Sequence, residues 1–221
     1  MHEGHRDRVK KRFRQEGLDH FSDIQALELL LFYGIPRVDT NPIAHALLDR
    51  FGSLSQVLEA SPEELMKVPG VGENAALLLT LIPQMGRFYM VDRSSRVTIL
   101  QTLEQCANFL VPHFFGRKVE TVFILCLDAK CKLLCCKELG EGGPNSTGVS
   151  IRKIVETAIG VNAATVVLAH NHPSGLAVPS AEDIQTTRRI AHALQAVEIT
   201  LADHIIVADG DYVSIAMSDD R

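Results

Sequence analysis

The clearest indication of how the second half of this chain folds is the sequence Asn-Ala-Ala-Thr-Val-Val-Leu-Ala-His-Asn-His-Pro-Ser-Gly at residues 162–175. The apolar run before the first histidine predicts a buried strand. Side chains two positions apart in an extended segment lie on the same side, so we expect His170 and His172 to direct two imidazoles to one point. Pro173 and Gly175 then turn the chain.

A carboxylate follows the two histidines at a spacing that suits a metal site. Ser180 precedes the next predicted helix, and Asp183 lies in its first turn. With His170 and His172 it makes three protein ligands, which on Zn²⁺ leave one position for water, as in catalytic zinc sites. Each residue also has a structural explanation, because single histidines are often simply hydrogen-bonded and Ser-x-x-Asp is a helix-capping pattern. The joint spacing favours one zinc ion bound by His170, His172 and Asp183.

The rest of the second half alternates between strand and helix patterns. Strands are predicted at 120–127, 132–138, 164–170 and 199–207, and helices at 150–161 and 180–197. Strands mixed with helices in this order predict a compact α/β or α+β domain, which we place at 97–217.

Residues 1–92 carry helix signals and no strand signal. Ser22, Asn41 and Ser61 are each placed to cap a helix, and the last two precede a proline. The pattern predicts an all-α domain at 1–92, joined to the second domain by a polar linker at 91–96.

The segment Val-Pro-Gly-Val-Gly, residues 68–72, resembles the helix-hairpin-helix module. In that module the glycines allow a tight turn whose N–H groups can accept a phosphate. Here Glu73 follows the hairpin, and no basic residue lies between Lys67 and Arg87. Residues 1–92 contain ten Lys and Arg against thirteen Asp and Glu. We therefore expect weak nucleic-acid binding or none, and a turn that only packs helices is the alternative.

Composition limits the class of protein. The chain is 46% hydrophobic and 22% charged with a net charge of −5, which is typical of a soluble globular protein. Its apolar runs are far shorter than the roughly 20 residues that span a bilayer, and its start has no signal-peptide pattern. The expectation is a cytoplasmic protein without a membrane partner.

Several of these stretches together resemble a known family. The pattern His-x-His-Pro followed by Ser180 and Asp183 is similar to the JAMM signature of the JAB/MPN+ metalloprotease superfamily. More narrowly, residues 162–175, 203–207 and 51–54 resemble the bacterial RadC family. The resemblance covers nearly the whole chain. It implies a cytidine-deaminase-like α+β fold for the second domain, Zn²⁺ as cofactor and a hydrolase site.

The resemblance also implies catalytic residues. In the superfamily a glutamate on an earlier strand lies beside the metal-bound water, and the matching position is Glu138, with Glu141 as the alternative. Ser180 is expected beside the open coordination position, where it donates to the developing oxyanion. His204 is either a hydrogen-bonded core histidine, which we favour, or a residue that orients the site.

The most concrete hypothesis is a zinc-dependent hydrolase of amide bonds, a metallopeptidase-type enzyme whose substrate is a protein or peptide and whose general base is Glu138. One alternative is a DNA-repair-associated accessory protein that binds nucleic acid weakly through its N-terminal half. Another is a catalytically silent module in which zinc only stabilises the fold. The first predicts a carboxylate beside the metal, and the second predicts salt-sensitive DNA binding. Neither the physiological substrate nor the oligomeric state has a signal in the sequence.

Overall fold

The computed structural model of the chain describes residues 2–94, 99–142 and 149–218. It consists of two compact units, Met1–Gly86 and Arg87–Arg221. The domain ranges expected from the sequence, 1–92 and 97–217, put the boundary slightly later in the chain.

Helices build the first unit. They are α1 His2–Glu16, α2 Asp23–Gly34, α3 Asn41–Phe51, α4 Leu54–Glu59, α5 Pro62–Leu65 and α6 Glu73–Ser94, the last of which continues into the second unit. Ser22 and Ser61 cap α2 and α5 as predicted, each accepting a main-chain N–H three residues on. Asn41 is not a cap but the first residue of α3, and Thr40 takes the cap position without a side-chain bond. The Asn41 N–H is bonded instead to the Asp39 carboxylate, at 3.1 Å.

The core of the first unit includes the segment at 68–72. Val68 and Val71 are buried together with leucines of the surrounding helices. Gly70 has φ +90°, and a Cβ on it would lie 2.8 Å from the Cδ1 of Ile43. The turn therefore needs glycine for its conformation and for close packing against α3.

The linker predicted at 91–96 is helical over its first four residues, because α6 extends to Ser94. Ser95 and Arg96 lie outside the described residues. The correction has a simple cause: Asp92 and Arg93 are polar but break no helix, since neither glycine nor proline follows them closely. In the part of the chain that the structure describes, no helix combines the length and apolar character needed to cross a membrane.

The second unit is a mixed sheet between helices. Its elements are α7 Leu103–Leu110, a 3-10 helix Val111–Phe114, β1 Thr121–Leu127, β2 Leu133–Glu141, α8 Ile151–Gly160, β3 Thr165–Asn171, α9 Ala181–Gln195, β4 Thr200–Ala208, β5 Asp211–Ser214 and α10 Ile215–Ser218. Among the described residues the strand order is β2-β1-β3-β4-β5, with β3 and β4 parallel and the other neighbours antiparallel. The predicted strands and helices are present, whereas α7, the 3-10 helix, β5 and α10 were not predicted. This arrangement confirms a helical first part followed by an α+β domain.

Each face of the sheet has its own hydrophobic core. Val122 and Leu168 contribute to the core that α8 and α9 cover. Phe123 and Ala169 contribute to the opposite core, which α7 and the 3-10 helix cover. Because both faces are buried, β1 is buried at every position, which explains its uninterrupted apolar sequence.

Candidate metal centre

The two histidines of the predicted site lie at the end of β3. His170 is fully buried (0% exposed) and pairs in register with Val122 of β1, so it belongs to the sheet face that α9 covers. His172 follows the strand, and its N–H is bonded to the main-chain oxygen of Val207 at 2.9 Å. The Nε2 atoms of the two rings lie 3.0 Å apart. The alternation of side chains along an extended segment thus brings both imidazoles to one point, as predicted.

Asp183 reaches the same point from the first turn of α9. Its Oδ1 lies 3.3 Å from Nε2 of His170, and its Oδ2 lies 3.6 Å from Nε2 of His172. Two ligands on a tetrahedral zinc ion, each about 2.0–2.1 Å from the metal, are about 3.3–3.4 Å apart. The three separations between the predicted ligand atoms, 3.0, 3.3 and 3.6 Å, lie around this value, so these side chains are close enough together to bind one metal ion.

Ser180 holds Asp183 in place. Its hydroxyl donates to Oδ2 of Asp183 at 2.6 Å and accepts the Asp183 N–H at 3.1 Å, while its own N–H donates to Oδ2 at 2.9 Å. Burial by itself raises the pKa of Asp183, but the neighbouring His170 and the hydrogen bonds from Ser180 outweigh it and hold the pKa well below its usual value. The Asp183 carboxylate is therefore ionised and held in one orientation. Ser180 both caps α9 and positions this carboxylate.

The donor chemistry fits a cation. Nδ1 of His172 lies 3.1 Å from the main-chain oxygen of Leu176, which can only accept a hydrogen bond. The proton of the neutral ring is therefore on Nδ1, and Nε2 presents a lone pair toward His170 and Asp183. Electron-rich atoms so close together repel one another unless a proton or a metal ion lies among them.

The carboxylate that accompanies this group is Glu120, which the sequence analysis did not assign to the site. Its Oε1 lies 3.8 Å from Nε2 of His170, and ligand atoms of Glu120, His170 and His172 all lie within 4.8 Å of one another. Glu120 is farther from His170 than Asp183 is, and its side chain is 34% exposed. It borders the ligand group on the solvent side.

Asn171 fixes the chain on both sides of Glu120. Its Oδ1 accepts the N–H of Thr121 at 2.8 Å, and its Nδ2 donates to the main-chain oxygen of Val119 at 3.2 Å. The main-chain oxygen of Glu120 itself accepts from the N–H of Gly142 at 2.6 Å. The residue between the two histidines thus ties the start of β1 to the end of β3.

The structure places Glu138 elsewhere. It pairs in register with Phe123, so it lies on the face that α7 covers, opposite to the face of His170. Its carboxylate accepts a hydrogen bond from Arg117 at 2.7 Å, and the guanidinium of Arg117 lies over the Phe123 ring. The geometry therefore corrects the expectation that Glu138 is the general base. Its alternative, Glu141, lies opposite Thr121 in the ladder and is not part of the ligand group described above.

A signal for Glu120 was present in the sequence, since it begins the strand predicted at 120–127. What the sequence did not reveal is that β1 pairs antiparallel with β3. In that arrangement the start of β1 lies beside the end of β3, where the histidines are.

His204 is the second residue whose role the structure clarifies. It is fully buried (0% exposed) on β4, and its Nε2 lies 2.8 Å from Nδ1 of His170. Burial, together with the neighbouring His170, lowers the pKa of His204 to about 3, so the ring is neutral. His204 is thus a hydrogen-bonded core histidine, the role favoured from the sequence, and one of its partners is the predicted ligand His170.

The mixed sheet and the grouped histidines and carboxylates are those of a JAB-type domain with the chemistry to bind a metal. The family described as RadC-like JAB domain matches residues 100–220, and the family described as UPF0758 N-terminal matches residues 3–77. The chain belongs to the RadC family of UPF0758 proteins. JAB domains are related to metalloproteases, so the fold of the second unit is metallohydrolase-like.

Curated relatives align along nearly the whole chain. A UPF0758 protein of Paraburkholderia xenovorans (strain LB400) is 33% identical over 210 residues, which cover 95% of this chain and 83% of that protein. One of Paraburkholderia phytofirmans (strain PsJN) is 34% identical over 210 residues, covering 95% and 81%. One of Fusobacterium nucleatum subsp. nucleatum is 32% identical over 219 residues, covering 96% and 94%.

Proposed function

We propose that this protein is a zinc-dependent hydrolase of amide bonds, with His170, His172 and Asp183 as metal ligands and Glu120 as general base. The observation that carries the proposal is the convergence of these four side chains, from β3, α9 and the start of β1, on one point at the sheet edge. Zinc bound there supplies a Lewis acid and lowers the pKa of a coordinated water toward about 7.

Glu120 performs the proton transfers in this proposal. Its carboxylate lies near the ligands but farther out than Asp183, so its oxygens stay available for a proton. It accepts the proton of the attacking water and then delivers it to the nitrogen of the leaving amine, which balances the hydrolysis of an amide. Asp183, whose Oδ2 already accepts two bonds from Ser180, is committed to the ligand role.

Ser180 was expected to donate to the oxyanion. In the structure its hydroxyl hydrogen is used by Oδ2 of Asp183. Donation to substrate would require the hydroxyl to turn away from this carboxylate, so we propose ligand orientation as its main role and oxyanion donation as a secondary one.

A protein or peptide substrate is supported by the loop between His172 and Ser180. Leu176 and Val178 are exposed there, and the carbonyl of Leu176 contacts the ring of His172. Apolar side chains beside the ligands suit a substrate with an apolar residue near the cleaved bond.

The decisive experiment compares Glu120→Gln with Glu138→Gln, a matched pair from the two faces of the sheet. Both variants are expected to keep the zinc content of the wild type. In an unbiased screen for peptide cleavage, Glu120→Gln should lose about 10²–10⁴ in rate and Glu138→Gln should stay within about threefold of wild type. Equal rates for Glu120→Gln and wild type would refute Glu120 as the base, and a wild type without zinc would refute the function.

For the first unit we propose that the segment at 68–72 is a helix-hairpin-helix turn whose main role is packing. Val68 and Val71 are buried in the core, and Gly70 contacts Ile43. The first residue of α6 is Glu73, an acidic residue where a phosphate would approach. An anisotropy titration with duplex DNA over a range of salt concentrations tests this. Sub-micromolar binding with a steep salt dependence would favour the nucleic-acid accessory role instead.

A further inference from the structure

The two histidines of the proposed zinc site are oriented by different partners. Nδ1 of His172 is bonded to the carbonyl of Leu176, and a carbonyl alone dictates where the proton lies. Nδ1 of His170 is 2.8 Å from Nε2 of His204, and a second imidazole can either donate or accept. His204 therefore sets the tautomer of His170 only if something sets the tautomer of His204.

Thr187 and the main chain of α9 supply that constraint. Nδ1 of His204 lies 2.6 Å from Oγ1 of Thr187, which in turn lies 2.6 Å from the main-chain oxygen of Asp183. The carbonyl can only accept, and the hydroxyl has a single hydrogen, so Thr187 donates to Asp183 and accepts from His204. His204 is then protonated on Nδ1 and accepts at Nε2 the hydrogen that His170 carries on Nδ1.

We propose that His204 and Thr187 are positioning residues that keep the Nε2 lone pair of His170 directed at the metal. The chain of hydrogen bonds starts at one ligand, His170, and ends at the main chain of another, Asp183. It therefore links β3, β4 and α9 and orients two of the three ligands together. The inference rests on the proposed zinc site and adds to it the residues that give that site its affinity.

If His204 and Thr187 only filled space in the core, substitutions there would have a different effect. An apolar side chain in place of His204 fills the cavity but leaves Nδ1 of His170 without an acceptor inside a fully buried region. Partners of this kind contribute about 10–100-fold to metal affinity in known sites, whereas a filler contributes none.

The chain offers a matched control one residue away. Thr186 is buried on α9, and within the described residues its hydroxyl has no hydrogen-bond partner. Thr186→Val and Thr187→Val therefore remove the same group from adjacent positions, the first buried and the second half-buried, and only the second interrupts the proposed chain.

The experiment measures zinc affinity of the full chain by competition with a chromogenic chelator. We expect Thr187→Val to raise the Kd for zinc about tenfold, and Thr187→Ser and Thr186→Val to stay within about twofold of wild type. His204→Leu should raise the Kd by about 10–100-fold. An unchanged Kd in Thr187→Val, or an equal rise in Thr186→Val, would overturn the proposal.

A second measurement does not depend on zinc. Long-range proton–nitrogen NMR spectra of the metal-free protein report which imidazole nitrogen carries the proton. We expect His204 as a pure Nδ1–H form in wild type and as a mixture of tautomers in Thr187→Val. A mixture already in wild type would overturn the positioning role. A wild type that binds zinc no better than His172→Ala refutes the proposed function instead, while the NMR result still decides the tautomer.

Discussion

The two faces of the sheet differ sharply at the edge where β3 ends. On the face that α9 covers, His170 and Asp183 are buried and His172 is half-buried, with the electron-rich atoms of all three directed at one another. On the face that α7 covers, Glu138 is 40% exposed and already paired with Arg117. A glutamate with a guanidinium partner needs no further cation, whereas the buried group does.

This contrast shows that the kind of residue does not identify a site. Glu120 and Glu138 lie at neighbouring ends of β1 and β2, yet the sheet directs only Glu120 toward the histidines. The close grouping of ligand atoms on one face, and not the mere presence of a carboxylate, marks the candidate metal site.

The largest effect is expected from removing a proposed metal ligand on the face that α9 covers. His172→Ala removes a ligand and should reduce zinc affinity by more than the roughly 10–100-fold that outer contacts contribute. His113 is the control from the other face, where its Nε2 lies 3.8 Å from the sulfur of Cys136. Metal analysis should find zinc in wild type and His113→Ala but not in His172→Ala. Equal zinc content in all three proteins would contradict the ligand assignment.

The second prediction concerns the free energy of unfolding at acidic pH. Burial lowers the pKa of His204 from 6.5 to about 3, so the unfolded chain binds a proton between these values that the folded protein does not. The folded state therefore keeps its full stability above about pH 6.5 and loses up to about 1.4 kcal/mol per pH unit as the pH falls toward 3. Urea unfolding of the metal-free protein at several pH values measures this slope.

In His204→Gln the acid-dependent slope should be smaller. Burial also lowers the pKa of His113 on the opposite face, but that ring is only partly buried, so His113→Gln should reduce the slope less. If the two variants have identical slopes, the two faces do not differ in the way described.

Asn171→Ala should produce an intermediate effect. It removes two hydrogen bonds, one buried and one partly buried, that hold the segment around Glu120, and we expect a loss of about 1–3 kcal/mol in the free energy of unfolding. Cleavage should fall about tenfold because Glu120 is less well placed, while zinc content stays at the wild-type value. Loss of zinc in this variant would mean that Asn171 supports the ligands and not the base.

The smallest effect is expected on the other face. Arg117→Gln breaks the ion pair with Glu138, which is partly exposed, so the free energy of unfolding should change by less than about 1 kcal/mol. Chemical denaturation gives the value, and zinc affinity should be unchanged. A weakened zinc site would show that the two faces are coupled.

The group of predicted ligands could be recognised from the sequence because its pattern is local. Side-chain alternation places His170 and His172 together, and the cap at Ser180 places Asp183 in the first turn of a helix. Glu120 was not predicted to belong to the site because its position depends on how β1 pairs with β3, which lies about fifty residues further along the chain. His204 depends in the same way on the parallel pairing of β3 with β4.

Fold class was also predictable, since buried strands and amphipathic helices have clear periodicities. The short helix α7 and strand β5 were missed, and the linker expected at 91–96 proved helical in its first four residues. Local polarity alone did not distinguish an exposed helix from a loop there.

Asn171 is hydrogen-bonded to the residues on both sides of Glu120, and we call this pair of bonds the Asn171 clamp. The clamp has a consequence for insertions and deletions. One residue of a strand spans about 3.4 Å, so a shift of β1 by two residues would keep its buried face but carry Glu120 about 7 Å from the histidines. Length changes within 121–127 should therefore be absent from working relatives. The turn at 128–132 lies at the far end of β1, where a longer or shorter loop leaves the clamp untouched. Natural variation in chain length should accumulate at that turn.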